Sequence, residues 1–217
     1  MSTAIIGTGK IGTALATHLI EGGEAVILAG STPAEAEQLA GKLGMKASAA
    51  DVADAIERAD AVIFAVWLDV LQDLVQQNAS RLAGKVVVDP SNPIAPDGNG
   101  GFKRTLPGGV SSGSVVAGLL PPGAHFVKAF GTVSAEHLAD AANRSPDRAV
   151  LFYATDDDAA AVIADRLITT AGFAPVRAGG LDQAIRLEAF GDLHDFGGLK
   201  GKLLTTAEAR ALVADTT

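Results

Sequence analysis

The residues with the clearest chemical meaning stand near the start of the chain, where Gly7-Thr8-Gly9-Lys10-Ile11-Gly12 spaces three glycines as G-x-G-x-x-G. The first glycine suits a tight turn, the second a close approach of main chain to an anion, and the third close packing of a helix on a strand. A helix starting here offers unbonded N–H groups and the positive end of its dipole. Such a motif is weak evidence alone, so its context decides. Ala4, Ile5 and Ile6 form an apolar run directly before it, and Ile11, Ala14, Leu15, His18 and Leu19 follow at helical spacing up to Gly22-Gly23. Strand, glycine turn and helix in that order suit the pyrophosphate of a dinucleotide. Gly7, Thr8, Gly9, Lys10, Ile11 and Gly12 are therefore the candidate phosphate-binding residues.

The tip of the second apolar run, Ala25 to Ala29, bears on which dinucleotide is bound. A carboxylate there would bond the ribose hydroxyls of NAD. This chain has Ala29-Gly30-Ser31-Thr32 instead. Two hydroxyls at a helix start accept a 2′-phosphate that a carboxylate repels, so Ser31 and Thr32 are candidate ligands and NADP(H) is the expected cofactor. An acidic side chain in this corner would count against that reading. The competing role for Ser31 is a plain helix cap. No Arg stands beside the pair, which leaves Lys10 or Lys42 to supply positive charge.

Ligands in open α/β sheets lie beyond the carboxyl ends of the strands. Val66 and Trp67 follow the run Ala61 to Val66, and Asn92 and Pro93 follow Val86 to Val88. These four are expected to wall the nicotinamide. For Trp67, the only tryptophan, core packing or a dimer contact is the alternative.

The elements that must position these residues alternate. Strands are expected at 4–6, 25–29, 46–48, 61–66, 86–88, 125–129, 149–154 and 173–176. Helices are expected after the glycine turn and at 33–43, 51–58, 68–79, 111–120 and 156–171. Near-continuous apolar strands between helices indicate a parallel sheet covered on both faces. The expected fold class is α/β, a Rossmann-type doubly wound, mostly parallel sheet with a short C-terminal extension. Residues 1–180 would form the dinucleotide-binding domain, and 181–217 an extension packed on it or on a partner subunit. Asp97 to Gly109, rich in Gly and Pro, reads as a surface loop.

Composition narrows the function classes. The 217 residues include 48% hydrophobic and 19% charged side chains, ordinary for a folded chain, and carry a formal net charge of −8. That balance argues against nucleic acid or an anionic membrane as partner. No cysteine is present, which removes disulfides and thiolate chemistry. No apolar run is long enough to span a bilayer and no signal segment precedes the first strand, so a cytoplasmic location is expected.

Taken together, the motifs resemble the small NADPH-dependent reductases of the deazaflavin coenzyme (factor 420). The resemblance covers about residues 3 to 180. It rests on GTGKIG, AGST after the second strand, AVW at Ala65 to Trp67, SNP at Ser91 to Pro93, HFVKAFGT at His125 to Thr132, and Asp156-Asp157-Asp158 leading to GFAPVRAGG at Gly172 to Gly180. It implies an NADP-type cofactor held by the glycine turn, Ser31 and Thr32, a flavin or deazaflavin as second cofactor or substrate, and a homodimer. Membrane ferric reductases carry a related domain. The chain departs from the family at Thr32-Pro33, where Arg is usual after Ser31, at Val66, where Pro is usual, and at Gly131, where Asn is usual. The segment FGDLHDFGGLKGKL after Leu187 also departs.

No catalytic constellation stands out, and no metal site is expected. His18, His125, His137 and His194 show no metal-ligand spacing. Asp156 to Asp158 suits a helix start. Lys128 is read as facing the cofactor or covering a sheet edge, and Lys103 and Arg104 as meeting an anionic acceptor tail. The Gly-rich segments 96–101 and 105–113 are candidates for shaping the acceptor pocket. Hydride transfer between two bound cofactors needs orientation and water exclusion more than acid or base chemistry. The expected function is thus an NADPH-dependent oxidoreductase acting on a flavin, deazaflavin or other small-molecule acceptor. The alternatives are a non-catalytic NADP(H)-binding sensor or partner-binding module, and an NADP-dependent reductase of a small carbonyl, with His125, Lys128 or His194 as proton donor.

Overall fold

Runs that are apolar at every position have no face to give to water, and they form the middle of the sheet. A computed structural model of the chain describes residues 2–214; Met1 and residues 215–217, the outer ends of the two expected segments, lie outside the described residues. The first half contains β1 (Ser2–Ile6), α1 (Lys10–Glu21), β2 (Ala25–Ala29), α2 (Pro33–Leu43), β3 (Ala47–Ala49), α3 (Val52–Arg58), β4 (Ala61–Phe64), α4 (Leu68–Gln77), α5 (Ala79–Leu82) and β5 (Val86–Asp89). There follow β6 (Ile94–Pro96), β7 (Phe102–Arg104), α6 (Ser112–Ala117), β8 (His125–Lys128), α7 (Ala135–Asp140), β9 (Val150–Ala154), α8 (Asp158–Thr170), β10 (Ala174–Gly179), α9 (Ala184–Leu187) and α10 (Thr206–Ala214).

Eight strands join in the order β10-β9-β8-β5-β4-β1-β2-β3. From β8 to β3 every pairing is parallel, with Ile5 opposite both Leu28 and Ile63. β9 pairs antiparallel with β8, and β10 parallel with β9, so the last two strands run against the rest. The fold is the mostly parallel Rossmann-type sheet that the alternation implies. Side chains alternate between two apolar layers. Ile5, Ile63 and Val88 pack under Leu15, Leu19, Leu167 and Ile168. Ile6, Val62, Phe64 and Val87 pack on the other face with Ile56, Leu71, Val75 and Val116. α9 and α10 pack with β9 and β10 through Val150, Phe152, Val176, Leu187 and Ala209.

Three local expectations change. β4 stops at Phe64, which frees Ala65 and Val66 from the ladder at the sheet's carboxyl edge. The segment read as a loop from Asp97 contains β7, which pairs antiparallel with β6, Ile94 opposite Arg104. The helix expected from Asp156 begins at Asp158, because the Asp157 carboxylate accepts from the amides of Ala159 and Ala160 and so is the cap.

Candidate dinucleotide site

The glycine turn joins β1 to α1 at the carboxyl edge of the sheet. Gly7 has φ +109°, and a Cβ there would lie 2.3 Å from the Ala65 carbonyl oxygen. A Cβ on Gly12 would lie 1.9 Å from the Gly7 carbonyl oxygen. Both glycines are thus required by the protein's own packing. Gly9 differs: at φ −72° its backbone suits any residue, and a Cβ would meet no atom within 4 Å. Gly9 is also the N-cap of α1 and offers no side-chain cap. The first bond of the helical ladder runs from Thr13 N–H to Gly9 C=O at 2.9 Å. The amides before it lack partners within the helix. Open space over Gly9 and unbonded amides beside it fit a pyrophosphate.

Two clefts meet at this turn. One, of about 870 Å³, runs along the tip of β2 and is lined by Gly7, Thr8, Gly9, Ser31, Val66 and Trp67, among others. The second, of about 480 Å³, opens at the carboxyl ends of β4, β5 and β8, with Lys10, Ile11, Ser91 and Asn92 in its wall. Gly9, Ala65, Val66 and Trp67 line both, so the clefts are continuous past the glycine turn. The structure therefore brings together nine of the twelve candidate residues. Gly12 packs beneath the turn, Thr32 caps α2 by accepting from Glu35 N–H at 3.4 Å, and Pro93 is buried; these three line neither cleft.

The β2 corner needs one correction. A carboxylate does stand there: Glu35, in the first turn of α2, accepts from Ser31 Oγ at 2.6 Å and lines the larger cleft. Reading the strand tip alone missed it, because Glu35 lies four residues beyond Ser31 and reaches back over the helix start. Thr32, not Ser31, is the cap. Of the two candidate lysines, Lys42 lines this cleft and Lys10 the other.

The second cleft is built on a buried polar frame. Asp89, fully buried at the end of β5, accepts from Ser91 N–H at 2.7 Å and pairs with Lys128 Nζ at 2.8 Å. Lys128 Nζ also donates to the Ser91 carbonyl and to Ser112 Oγ. Three partners saturate it, so Lys128 neither faces the cofactor nor covers an edge; it fixes the turn after β5. Ser112 in turn meets Glu188, which is fully buried and also takes Arg104 Nη2 at 3.2 Å. Arg104 is therefore committed to the frame and not free for an acceptor tail. The Asn92 side chain bridges Gly131 C=O at 3.0 Å and Ala189 N–H at 2.6 Å. Phe130 beside it is fully buried at φ +66°, a conformation that costs a bulky residue about 1–3 kcal/mol and tends to mark functional sites. Asn would not fit at 131, where even a Cβ would lie 2.6 Å from the Pro90 carbonyl oxygen.

The rim of this cleft comes from unexpected places. Phe102 of β7 and Ala189, His194 and Phe196 of the tail line it opposite Trp67. Trp67, Phe102 and Phe196 are about half exposed, at 53%, 44% and 53%. The glycines of the departing segment explain how the tail holds its shape: a Cβ on Gly197 would lie 1.9 Å from the Gly191 carbonyl oxygen, and one on Gly198 2.4 Å from that of Asp192. Alternating polar, aromatic and glycine residues gave no periodic signal for this compact knot.

Only one histidine lines the cleft. His125 begins β8, at the amino end of the parallel strands, and pairs with Asp157 at 2.5 Å. His18 bonds the Leu138 carbonyl at 3.0 Å. His137 Nδ1 bonds Asp195 Oδ2 at 3.0 Å. His194, 2% exposed, sits in the cleft wall with Nδ1 3.1 Å from Asp195 Oδ1. Burial by itself raises the Asp195 carboxyl; contacts with His194, Ser134 N–H and His137 outweigh it and hold the group below its ordinary value. Among the described residues, no cluster of three metal-binding side chains occurs, and no helix is long and apolar enough to cross a membrane.

A parallel sheet with an open glycine turn and two clefts meeting over it defines a Rossmann-type dinucleotide-binding protein. Comparison with known proteins then names the group. Residues 2–93 match the family described as "NADP oxidoreductase coenzyme F420-dependent". A hypothetical protein of Sinorhizobium meliloti of known structure is 34% identical, with 95% of this chain and 96% of that one covered and a TM-score of 0.83. An Arthrobacter sp. FB24 structure, assigned as an F420-dependent NADP reductase, is similar in fold at 23% identity, with 85% and 87% covered and a TM-score of 0.72. The metalloreductase STEAP3 of Rattus norvegicus is 29% identical over 185 residues, which are 85% of this chain and 35% of that protein. The chain thus spans about a third of that curated relative's length.

Proposed function

We propose that the chain is an NADPH-dependent oxidoreductase that moves hydride between NADP(H) and a small planar acceptor of the flavin or deazaflavin kind. In this reading the amides after Gly9 hold the pyrophosphate, with Thr8 and Lys10 beside it. Ser31 and Lys42 are the groups offered to the 2′-phosphate, against the Glu35 carboxylate that accepts from Ser31 at 2.6 Å and weighs the other way. Ile11, Val66, Trp67 and Asn92 line the nicotinamide side. One observation carries the reading: the second cleft is continuous with the glycine-turn cleft and is rimmed by three half-exposed aromatic rings, Trp67, Phe102 and Phe196. Offset or edge-on contacts with such rings hold a planar molecule, and the protein's remaining task is to align the two reactants and exclude water.

The test has two parts. Calorimetry with NADPH and NADH is expected to show at least tenfold tighter binding of NADPH. NADPH oxidation followed with flavin mononucleotide, the deazaflavin coenzyme and menadione is expected to show turnover with at least one. Tight NADPH binding without turnover would instead support the non-catalytic sensor. A second reading, reduction of a small carbonyl, is favoured by His194 in the cleft wall; His125 at the far edge and the saturated Lys128 are not placed for that role.

A further inference from the structure

The cleft at the carboxyl ends of β4, β5 and β8 carries little charge for its size. Among the described residues its wall holds one lysine, Lys10 of α1, and one carboxylate, Glu136 of α7. Lys10 follows Gly9 directly, beside the amides assigned to the pyrophosphate in the proposed site. Exposed Glu136 is then the charge left to face a second ligand. Nearby cations are committed elsewhere. Arg104 donates to the buried Glu188 at 3.2 Å and to the Val110 carbonyl. Lys103 projects from the face of β7 opposite Phe102 and Arg104, and does not line the cleft. Lys128 is paired with Asp89 at 2.8 Å beneath the floor, and the buried Asp195 behind the wall adds negative charge. The polar groups left open to a ligand are neutral donors. Ser91 is buried in the cleft wall with its main chain fixed by Asp89 and Lys128, and its Oγ has no partner. His194 Nδ1 accepts from Phe196 N–H at 2.9 Å, which puts the proton of the neutral ring on Nε2; among the described residues no protein group bonds Nε2.

From this charge pattern we propose that the second ligand is an uncharged planar ring bearing a carbonyl and no anionic tail, and that Glu136 sets this selectivity. The inference rests on the proposed oxidoreductase reading and narrows its acceptor. Trp67, Phe102 and Phe196 take the faces and edges of the ring. Ser91 Oγ–H and His194 Nε2–H are the donors for its carbonyl oxygen. The cleft of about 480 Å³ must also take the nicotinamide, so an extended tail would leave past the rim. There Glu136 repels a phosphate or carboxylate, and no cation besides Lys10 lines the wall to offset it. In the redox step a C–H bond of the reduced nicotinamide breaks and its hydride forms a new bond to the ring. Water supplies the accompanying proton, and the products are the oxidised nicotinamide and the dihydro ring.

Riboflavin and flavin mononucleotide test the selectivity, because they share one ring and differ by a phosphate. Each is titrated into the full chain saturated with NADP+, with flavin fluorescence as the readout. Riboflavin is expected to bind at least fivefold more tightly at low ionic strength, and the gap should narrow as salt screens the charges. Glu136→Gln is expected to bring the two within twofold by improving the phosphorylated flavin alone. Ser91→Ala should weaken both alike, by about two- to tenfold, since it serves the ring they share. Equal or tighter binding of flavin mononucleotide by the unaltered protein would overturn the inference. So would binding of neither flavin, or a preference that Glu136→Gln leaves unchanged. NADPH oxidation with riboflavin and menadione is followed separately. Riboflavin preference without turnover of either would defeat the oxidoreductase reading and leave the ring site standing, whereas turnover with flavin mononucleotide preferred would do the reverse.

Discussion

Gly9→Ala separates what the fold needs from what the ligand needs. At φ −72° and ψ −167° alanine fits without strain, and its methyl group would meet no protein atom within 4 Å. Folding then gains from the smaller freedom of the unfolded chain, about 0.4–1 kcal/mol. In a chain of this length that raises Tm by roughly 1–4 °C. Binding should move the other way. In the proposed site the methyl group would occupy the space through which the pyrophosphate reaches the first amides of α1. Hydrogen bonds to a charged group contribute about 1.5–3 kcal/mol each. Losing two of them costs roughly 3–6 kcal/mol, which is about 100-fold or more in affinity. The expected result is an unchanged or higher Tm by calorimetry and an NADPH dissociation constant at least 100-fold weaker by titration. Gly12→Ala is the contrast, since its methyl group would collide with the Gly7 carbonyl at 1.9 Å and should cost stability as well. If Gly9→Ala bound NADPH within threefold of the unaltered protein, the glycine turn would not be the phosphate site.

Three further outcomes follow from charge. Glu35→Gln removes a carboxylate bonded to Ser31; at a solvent-facing site this is expected to improve NADPH over NADH binding about fivefold, on the order of 1 kcal/mol, as competition titration would show. Lys128→Met leaves the fully buried Asp89 carboxylate without its cation. The expected cost is about 3–5 kcal/mol, read as a Tm lowered by on the order of 10 °C. Burial raises the Glu24 carboxyl, but bonds from Arg166 and Thr3 outweigh it and hold the group below its ordinary value of 4.5. A folded value below the unfolded one means stabilisation that is complete above about pH 4.5 and lost as pH falls through the folded value. Glu24→Gln should therefore flatten the fall of Tm below pH 4.5 in a melting series.

Where residues repeat, the sequence was legible. Ala4-Ile5-Ile6, Val62 to Phe64 and Val86 to Val88 are apolar on both faces because both are covered, and that pattern identifies central parallel strands directly. The glycine turn was legible for a related reason, since spacing and flanking elements agree. Contacts between distant segments left no such trace. Lys128 and Asp89 are 39 positions apart, and Asn92 and Ala189 are 97 apart. Nothing local marks a lysine as saturated or an asparagine as a brace. Glu35 is a milder case: Thr-x-x-Glu at 32–35 is a helix-start signature with a known reach backward, and it would have placed a carboxylate near Ser31.

The reversal of the last two strands explains why the tail reaches the cleft at all. β10 runs against β8, so it ends at the amino edge, where Leu181 N–H meets Asp156 and the far-side His125 pairs with Asp157. The chain must then climb the full height of the sheet to bury Glu188 against Ser112 and to lay Ala189 on Asn92. Had β9 and β10 continued the parallel direction, the residues after Gly179 would leave at the carboxyl edge, with no need for the α9 climb. Glu188 fixes the arrival: its Oε1 takes Ser112 N–H and Oγ while Ser112 Oγ takes Lys128. The same frame that sets the turn after β5 therefore sets the start of the knot carrying His194 and Phe196. Cleft floor and cleft rim are thereby held in one register.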